Sequence, residues 1–548
     1  MLISLLAWTY LSILCLVWGH MLLYIITPVE KDDAAWPHPC LVCLAGLAAV
    51  SSLSFGLSLA IPLGGKAHVI FLGCALLWLL NKKARRQIRM LLHRLFENYT
   101  TLPSVLLAAG IAMVLVISVH TINHPDTLIY HAKAIFLLQR YPPIPGIANL
   151  RVQLGYQSCW FAALAVTNPF PQQYDIIFLN GSVLCWFLIY VAPTLRRSWT
   201  CWALLAYSLA SWTQIRLTAA SASPDFIVAL YCWAAILAFL DDHPARRNSC
   251  RALVVIFCMA AVLTKMSGMM ILLLAVPALA AGKPAETLKL LAWCLVSTVI
   301  LCVRNVLASG YMLFPSSWPD VFNVPWKIPL TYMRQNRDYT TEYAFMSNAS
   351  PGTFLSLSPV QKILEWWSHI ELPDRVLLLA IAGGLLVRLG LIIVRRDRSF
   401  LSGRNVFPFL VALAGSCLWM LKIPSPRFGT GFLVPLAYFL WHPLPWPKMP
   451  VLQPYLIRGT AWGMIAAVSA YTIYRCIRFT TTSNLLTPSG IALNAYKPNG
   501  CDQVKVDLLH DTIISQGPSA KCLGSFFNSF HPMGATIRQG FEPAVPSP

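Results

Sequence analysis

Apolar runs of about 18 or more residues recur along this 548-residue chain, each long enough to cross a hydrocarbon core of roughly 30 Å. A soluble fold has no core that could bury so many, so the chain reads as an all-α polytopic membrane protein. Composition agrees, with 57% hydrophobic and 11% charged residues and a mean hydropathy of +0.62, beyond the range of soluble domains. The first run, Leu2–Ile26, has no basic residue ahead of it. It therefore lacks the n-region of a cleavable signal and reads as a helix.

The net charge of +20 does not indicate nucleic acid. Its basic residues gather in short connectors between apolar runs: residues 82–89, Arg196-Arg197, Arg246-Arg247 and 395–398. Loops retained on the cytoplasmic side have this pattern. With those loops inside, the expected helices are 2–27, 38–62, 67–81, 102–120, 174–193, 200–213, 224–240, 251–264, 267–282, 288–308, 376–394, 405–422, 428–441 and 459–476. That gives fourteen crossings with both termini outside. Residues 1–95 then form N-terminal helices with a basic cytoplasmic loop, and 96–476 a transmembrane module with outer loops 121–173 and 309–375. Residues 477–548 form a small extracytoplasmic tail. Within the first outer loop, 128–141 reads as an interfacial helix ended by Tyr141-Pro142-Pro143, and 156–166 as a segment resting in the interface. Most of the sixteen cysteines lie in apolar runs; Cys501 and Cys522 lie in the polar tail, where an oxidising compartment would allow a disulfide.

Five ionisable residues map to one membrane face. Asp126 follows the apolar run 102–119 directly. Alone it suits a helix N-cap, but with His124 and His131 beside it, a half-buried carboxylate is expected to have a raised pKa fit for general base work. Arg151, in the same loop, suits a bidentate phosphate clamp as well as a phospholipid contact. Asp225 follows Pro224 at a helix start, where it serves the helix dipole, positions an acceptor, or with Asp126 holds a divalent cation such as Mg or Mn; the alternatives stay open. Lys265 at a hairpin turn and Arg427 after a helix complete the set, as phosphate contacts or as snorkelling side chains. Arg304 reads as structural. The stretch 309–327 is rich in aromatics that suit an interfacial belt. No P-loop, GxGxxG, GxSxG or HExxH motif occurs. No internal repeat supports an inverted-repeat transporter.

The order of these motifs resembles the GT-C superfamily of polytopic glycosyltransferases, which includes protein O-mannosyltransferases and bacterial aminoarabinose transferases. The resemblance covers roughly residues 102–440. It rests on His124-Pro125-Asp126-Thr127 after the module's first helix, on Arg151 before Leu154-Gly155-Tyr156, on Pro224-Asp225, on Leu263-Thr264-Lys265-Met266 and on Pro426-Arg427-Phe428. The wording of these segments, with Arg304-Asn305-Val306, is closer still to a group of uncharacterised bacterial multi-pass membrane proteins. Two features depart from the GT-C pattern. Asp126 has no second acid beside it, and three helices precede the usual module.

The resemblance implies an enzyme that moves a sugar from a polyprenyl-phosphate donor to a glycan, lipid or protein acceptor at the outer face of the bacterial inner membrane. Asp126 would be the general base. Arg151 and Arg427 would hold the leaving phosphate, with Lys265 a further phosphate contact. Asp225 would orient Arg151 or the acceptor, and His131 and Tyr156 would be further substrate contacts. A transporter or flippase of a lipid-linked saccharide, or a non-catalytic envelope-assembly scaffold, is the alternative.

Overall fold

The computed structural model describes residues 1–27, 36–95, 101–120, 124, 126–168, 179–192, 199–211, 218–241, 243–345, 353–395, 403–442, 452–479, 504–507, 512–516, 530–533 and 536–543. Six described helices are long and apolar enough to cross a membrane, or seven if one bent pair counts as a single span. The chain is an all-α membrane-embedded protein. Several of the fourteen expected crossings are shorter apolar helices, among them Asn180–Val191, Asp225–Leu240 and Val406–Lys422.

Helix α1 (Leu2–Ile26) crosses α2 (Pro39–Leu57) backbone to backbone. A Cβ on Gly46 would lie 1.7 Å from the Cys15 carbonyl oxygen, and one on Gly19 would lie 1.9 Å from that of Val42. Small residues allow this approach, which replaces the hydrophobic drive that lipid does not supply. α3 (Gly65–Leu79) then turns through 100° into α4 (Lys82–Arg94). Asn81 caps α4 by accepting from the Lys83 and Ala84 amides. The basic segment expected as a loop is thus an amphipathic helix. It buries Ala84, Gln87, Ile88 and Leu91, positions that share one helical face. His20 of α1 anchors the bend, with Nε2 3.1 Å from Gln87 Oε1 while Nδ1 accepts from Trp78 Nε1 at 3.1 Å.

After α5 (Thr101–Ser118) a π-turn, Thr127–His131, leads into α6 (Ala132–Arg140). The chain continues through α7 (Ile147–Leu150) to α8 (Cys159–Thr167). Residues 156–166 were expected in the interface; instead every residue from Cys159 to Val166 is buried. The segment has no polar face to present to headgroups, so the core takes it.

Next come α9 (Asn180–Val191), α10 (Trp199–Ala210), α11 (Asp225–Leu240) and α12 (Arg247–Thr264). A 3-10 turn, Met266–Ile271, joins α12 to α13 (Leu272–Ala280) and α14 (Pro284–Ser309) follows. The 309–375 segment carries α15 (Leu330–Phe345), α16 (Thr353–Ser356) and α17 (Pro359–His369). The body closes with α18 (Leu372–Arg395), α19 (Val406–Lys422), α20 (Pro426–Trp441) and α21 (Leu452–Phe479). Apolar windows of α2 and of the α12 span are 83% buried, against 22% for α18. Helices α2 and α12 therefore belong to the centre of the bundle, and α18 to its rim.

In the tail, β1 (Val504–Asp507) pairs antiparallel with β2 (Thr512–Gln516), and β3 (Phe530–Pro532) with β4 (Phe541–Pro543). Phe541 is fully buried in a cluster with Tyr141, Ile144 and Ile147, and its carbonyl accepts from Asn149 Nδ2 at 3.2 Å. Cys501 and Cys522 lie outside the described residues.

Candidate functional site

Four charged side chains from four separate stretches converge. Arg427 sits between two acids, its Nη2 3.0 Å from Asp126 Oδ2 and its Nε 3.8 Å from Asp225 Oδ2. Lys265 pairs with the other oxygen of Asp225. The aromatic ring of Phe428 lies under both cations, 3.9 Å from Lys265 Nζ and 4.6 Å from the Arg427 guanidinium carbon. Side-chain exposure is 26% for Asp126, 14% for Arg427 and 9% for Asp225, so water screens these pairs only in part.

Local structure explains each position. Asp126 precedes the π-turn and makes no side-chain cap bond; its carboxylate goes to Arg427 instead. π-turns insert one residue into a helix and are frequent at functional sites. Here the turn is held by Thr127, whose hydroxyl lies 3.3 Å from His131 Nδ1 and accepts from the Ala222 amide at 3.4 Å. Asp225 opens α11 after a serine-rich turn in which its own amide donates to Ser223 Oγ. Lys265 occupies the extended break after α12, fixed by Ser158 Oγ donating to the Thr264 carbonyl at 2.7 Å. Arg427 lies in the first turn of α20, behind Pro426. Two indoles pin that turn: Trp366 Nε1 donates to Pro424 O and Trp419 Nε1 to Ser425 O, each at 2.7 Å. The N-termini of α11 and α20 thus meet at the cluster, and their dipoles add positive potential to the two cations.

This geometry corrects one expectation and gives the partners behind two others. Asp126 was expected to have a raised pKa. Burial does push it up, but the Arg427 guanidinium and then His131 and His124 outweigh burial, and the carboxyl is held below its ordinary value. Asp225 was expected to orient Arg151 or the acceptor; in the structure its carboxylate pairs with Lys265 and Arg427. The left-handed Gly146, at φ 65°, starts α7, and the turn beyond it sends Arg151 Nε to Gln153 Oε1 at 3.2 Å. A relay then runs from Gln153 to Asn336 and from Asn336 to the Tyr156 hydroxyl. Tyr156 lies 6.2 Å from the Tyr130 ring, which stacks edge-on against His131. Thr127, Tyr130 and Phe428 are site neighbours that sequence reasoning left out; for Tyr130 and Phe428 the signal was aromatics next to charged positions.

His131 and His124 lie 5.4 Å apart. Burial, then the charge of Arg427, holds His124 down from 6.5 to about 4, and burial likewise lowers His131. As pH falls, the unfolded chain therefore binds a proton at His124 before the folded protein does. Stability is expected to drop between about pH 6.5 and 4, by up to about 1.4 kcal/mol per pH unit for this imidazole. Asp126 adds its own loss below its ordinary value of 3.8. Melting curves of the detergent-solubilised protein across this window check it: His124→Asn should flatten the slope, and an unaltered slope would refute the assignment.

Among the described residues no group of three His, Cys, Asp or Glu side chains is placed to hold a metal ion. Each acid of the cluster is paired with a cation.

A family model described as a domain of unknown function (DUF8201) matches residues 1–434. The chain belongs to that family. The DUF8201 match takes in α1 through the first half of α20 and so contains all four charged residues of the cluster. No curated protein and no solved structure matches the chain.

Proposed function

We propose that this protein is a GT-C-like membrane transferase. It moves a sugar from a polyprenyl-phosphate donor to a glycan, lipid or protein acceptor at the outer face of the bacterial inner membrane. The convergence of Asp126, Asp225, Lys265 and Arg427 at two helix N-termini supports this reading most. Such a site offers an anion two cations and two dipoles while keeping a carboxylate in reach.

The ion pairs give the reaction an order. When the donor phosphate enters, it competes with Asp126 for Arg427 and with Asp225 for Lys265. Asp126 then loses the charge that holds its pKa down, burial raises it, and the carboxylate becomes a competent base. It takes the proton of the acceptor hydroxyl as that oxygen attacks the anomeric carbon. The bond from that carbon to the phosphate oxygen breaks with inversion, and polyprenyl phosphate leaves with its new charge held by Arg427 and Lys265. Arg151 acts one layer out, through Gln153, Asn336 and Tyr156, by keeping Tyr156 and Tyr130 beside His131.

The test uses purified full-length protein, a panel of radiolabelled polyprenyl-phosphate hexoses and an envelope extract as acceptor. Asp126→Asn should lose about 10²–10⁴-fold in transfer when assayed on protein that elutes as a folded species, even though loss of the Arg427 pair lowers its melting temperature. Transfer within a few fold of wild type would remove Asp126 from the base role. Absence of transfer by the wild type across the panel would count against the transferase reading itself.

A further inference from the structure

Helix α17 has three faces, and one of them meets the body of the protein. On that face Trp366 and Ile370 are buried, with the Trp366 ring 6.3 Å from that of Trp419. Gln361, Glu365 and Ser368, at i, i+4 and i+7, form a polar row on one flank. Val360, Ile363, Leu364 and Trp367, at i, i+3, i+4 and i+7, form an apolar row on the other. The first three are 66%, 55% and 63% exposed. A contiguous apolar row of this kind is unfavourable in water and marks a contact surface.

The row is held outward by construction. Ser358 and Gln361 close a capping box at the start of α17. At its end Arg375 of α18 donates to the Ser368 and Ile370 carbonyls at 2.6 and 2.7 Å. What covers the row follows from its continuity with α18. Ile370 and Glu371 alone separate the two helices, and Leu372, Val376 and Leu379 of α18 are exposed in turn. The apolar window of α18 is long enough to cross a membrane and only 22% buried, so its exposed face meets acyl chains. The charged Glu371 and Arg375 stand at the junction, as residues at headgroup level do.

We propose that α17 lies along the bilayer at the same face as the four-residue cluster, with its apolar row sunk among the acyl chains and its polar row in water, and that this seat holds the Arg427 turn in place. An amphipathic helix lying in the interface buries its apolar face in this way. The link to the cluster is short. Trp366 donates to Pro424 O at 2.7 Å, and Arg427 stands three residues further on. Trp366 is thus a positioning residue for the guanidinium that pairs with Asp126. The inference does not rest on the transferase reading, because it is read without turnover.

The experiment uses the full chain in phosphatidylcholine nanodiscs, with the photocrosslinking residue p-benzoylphenylalanine placed at Leu364 or at Gln361. Adducts are identified by peptide mass spectrometry. The lipid adduct at Leu364 is expected to exceed that at Gln361 by at least about tenfold, since the two positions lie on opposite flanks. Equal yields, or a crosslink from Leu364 to a second copy of the chain in place of lipid, would overturn the seat. Hydrogen exchange reads the coupling. Leu364→Glu should speed exchange across 423–434 about tenfold while leaving 225–236 of α11 unchanged, as a local opening does. Gln361→Glu adds the same charge to the polar row, keeps the capping box and should leave both segments as in the wild type. Unchanged exchange at 423–434 in Leu364→Glu, or equal acceleration by both substitutions, would overturn the positioning role.

Discussion

Replacing Arg427 by glutamine is expected to destabilise the protein by about 3–5 kcal/mol, the range for removing one partner of a buried ion pair. Among the described residues the substitution leaves Asp126 and Asp225 with Lys265 as their one ion-pair partner, in a site where neither carboxylate is more than about a quarter exposed. Two consequences follow, and both are measurable. Asp126 loses the charge that holds its proton affinity down, so its titration moves above the ordinary carboxylate value. In addition, Arg427→Gln/Asp126→Asn should recover part of the loss, with a coupling of about 1–3 kcal/mol in a double-mutant cycle. Thermal and denaturant unfolding in detergent read both. A cost below about 1 kcal/mol would mean that water screens the pair as it does at an open surface.

An equally large effect is expected from a position with no charge. Gly46→Val puts branched carbon where the Cys15 carbonyl oxygen already lies 1.7 Å from an ideal Cβ. Side-chain rotation cannot relieve that clash, since the obstacle is the α1 backbone. The helices must part, with a loss of at least about 3 kcal/mol, at the top of the range for overpacking. Little monodisperse protein should survive size exclusion in detergent. Gly73→Ala is the control, because nothing lies within 4 Å of its Cβ. It should stabilise α3 by roughly 0.5–1 kcal/mol. If Gly46→Val melts like Gly73→Ala, the close crossing does not exist.

What could be read from the sequence was what is local. Hydropathy is a property of consecutive residues, so the membrane class and the positions of α1, α2, α5, α14 and α18 were accessible. The grouping of Asp126, Asp225, Lys265 and Arg427 was accessible through sidedness, because each borders an apolar run. Their pairing was not. That Arg427 reaches Asp126 depends on how α20 packs beside the π-turn, and nothing in the spacing of residues 126 and 427 encodes it. The expected rise in the pKa of Asp126 failed for the same reason, since burial was weighed without the countercharge that packing brings. Other failures had visible signals. Residues 84, 87, 88 and 91 carry helical spacing within a stretch taken for a loop, and Cys159–Val166 offers no polar face to an interface.

The docking of Phe541 against Tyr141 and Ile147 has a consequence for biogenesis. Asn149 and Phe541 are separated by 392 positions, so the loop that carries Tyr141 and Asn149 is synthesised long before the strand that buttresses it. During that interval the described helices α1 to α21 can all be made while the loop still lacks its support. The packing around Tyr141 and Ile147 is thus completed only by a segment made after α21.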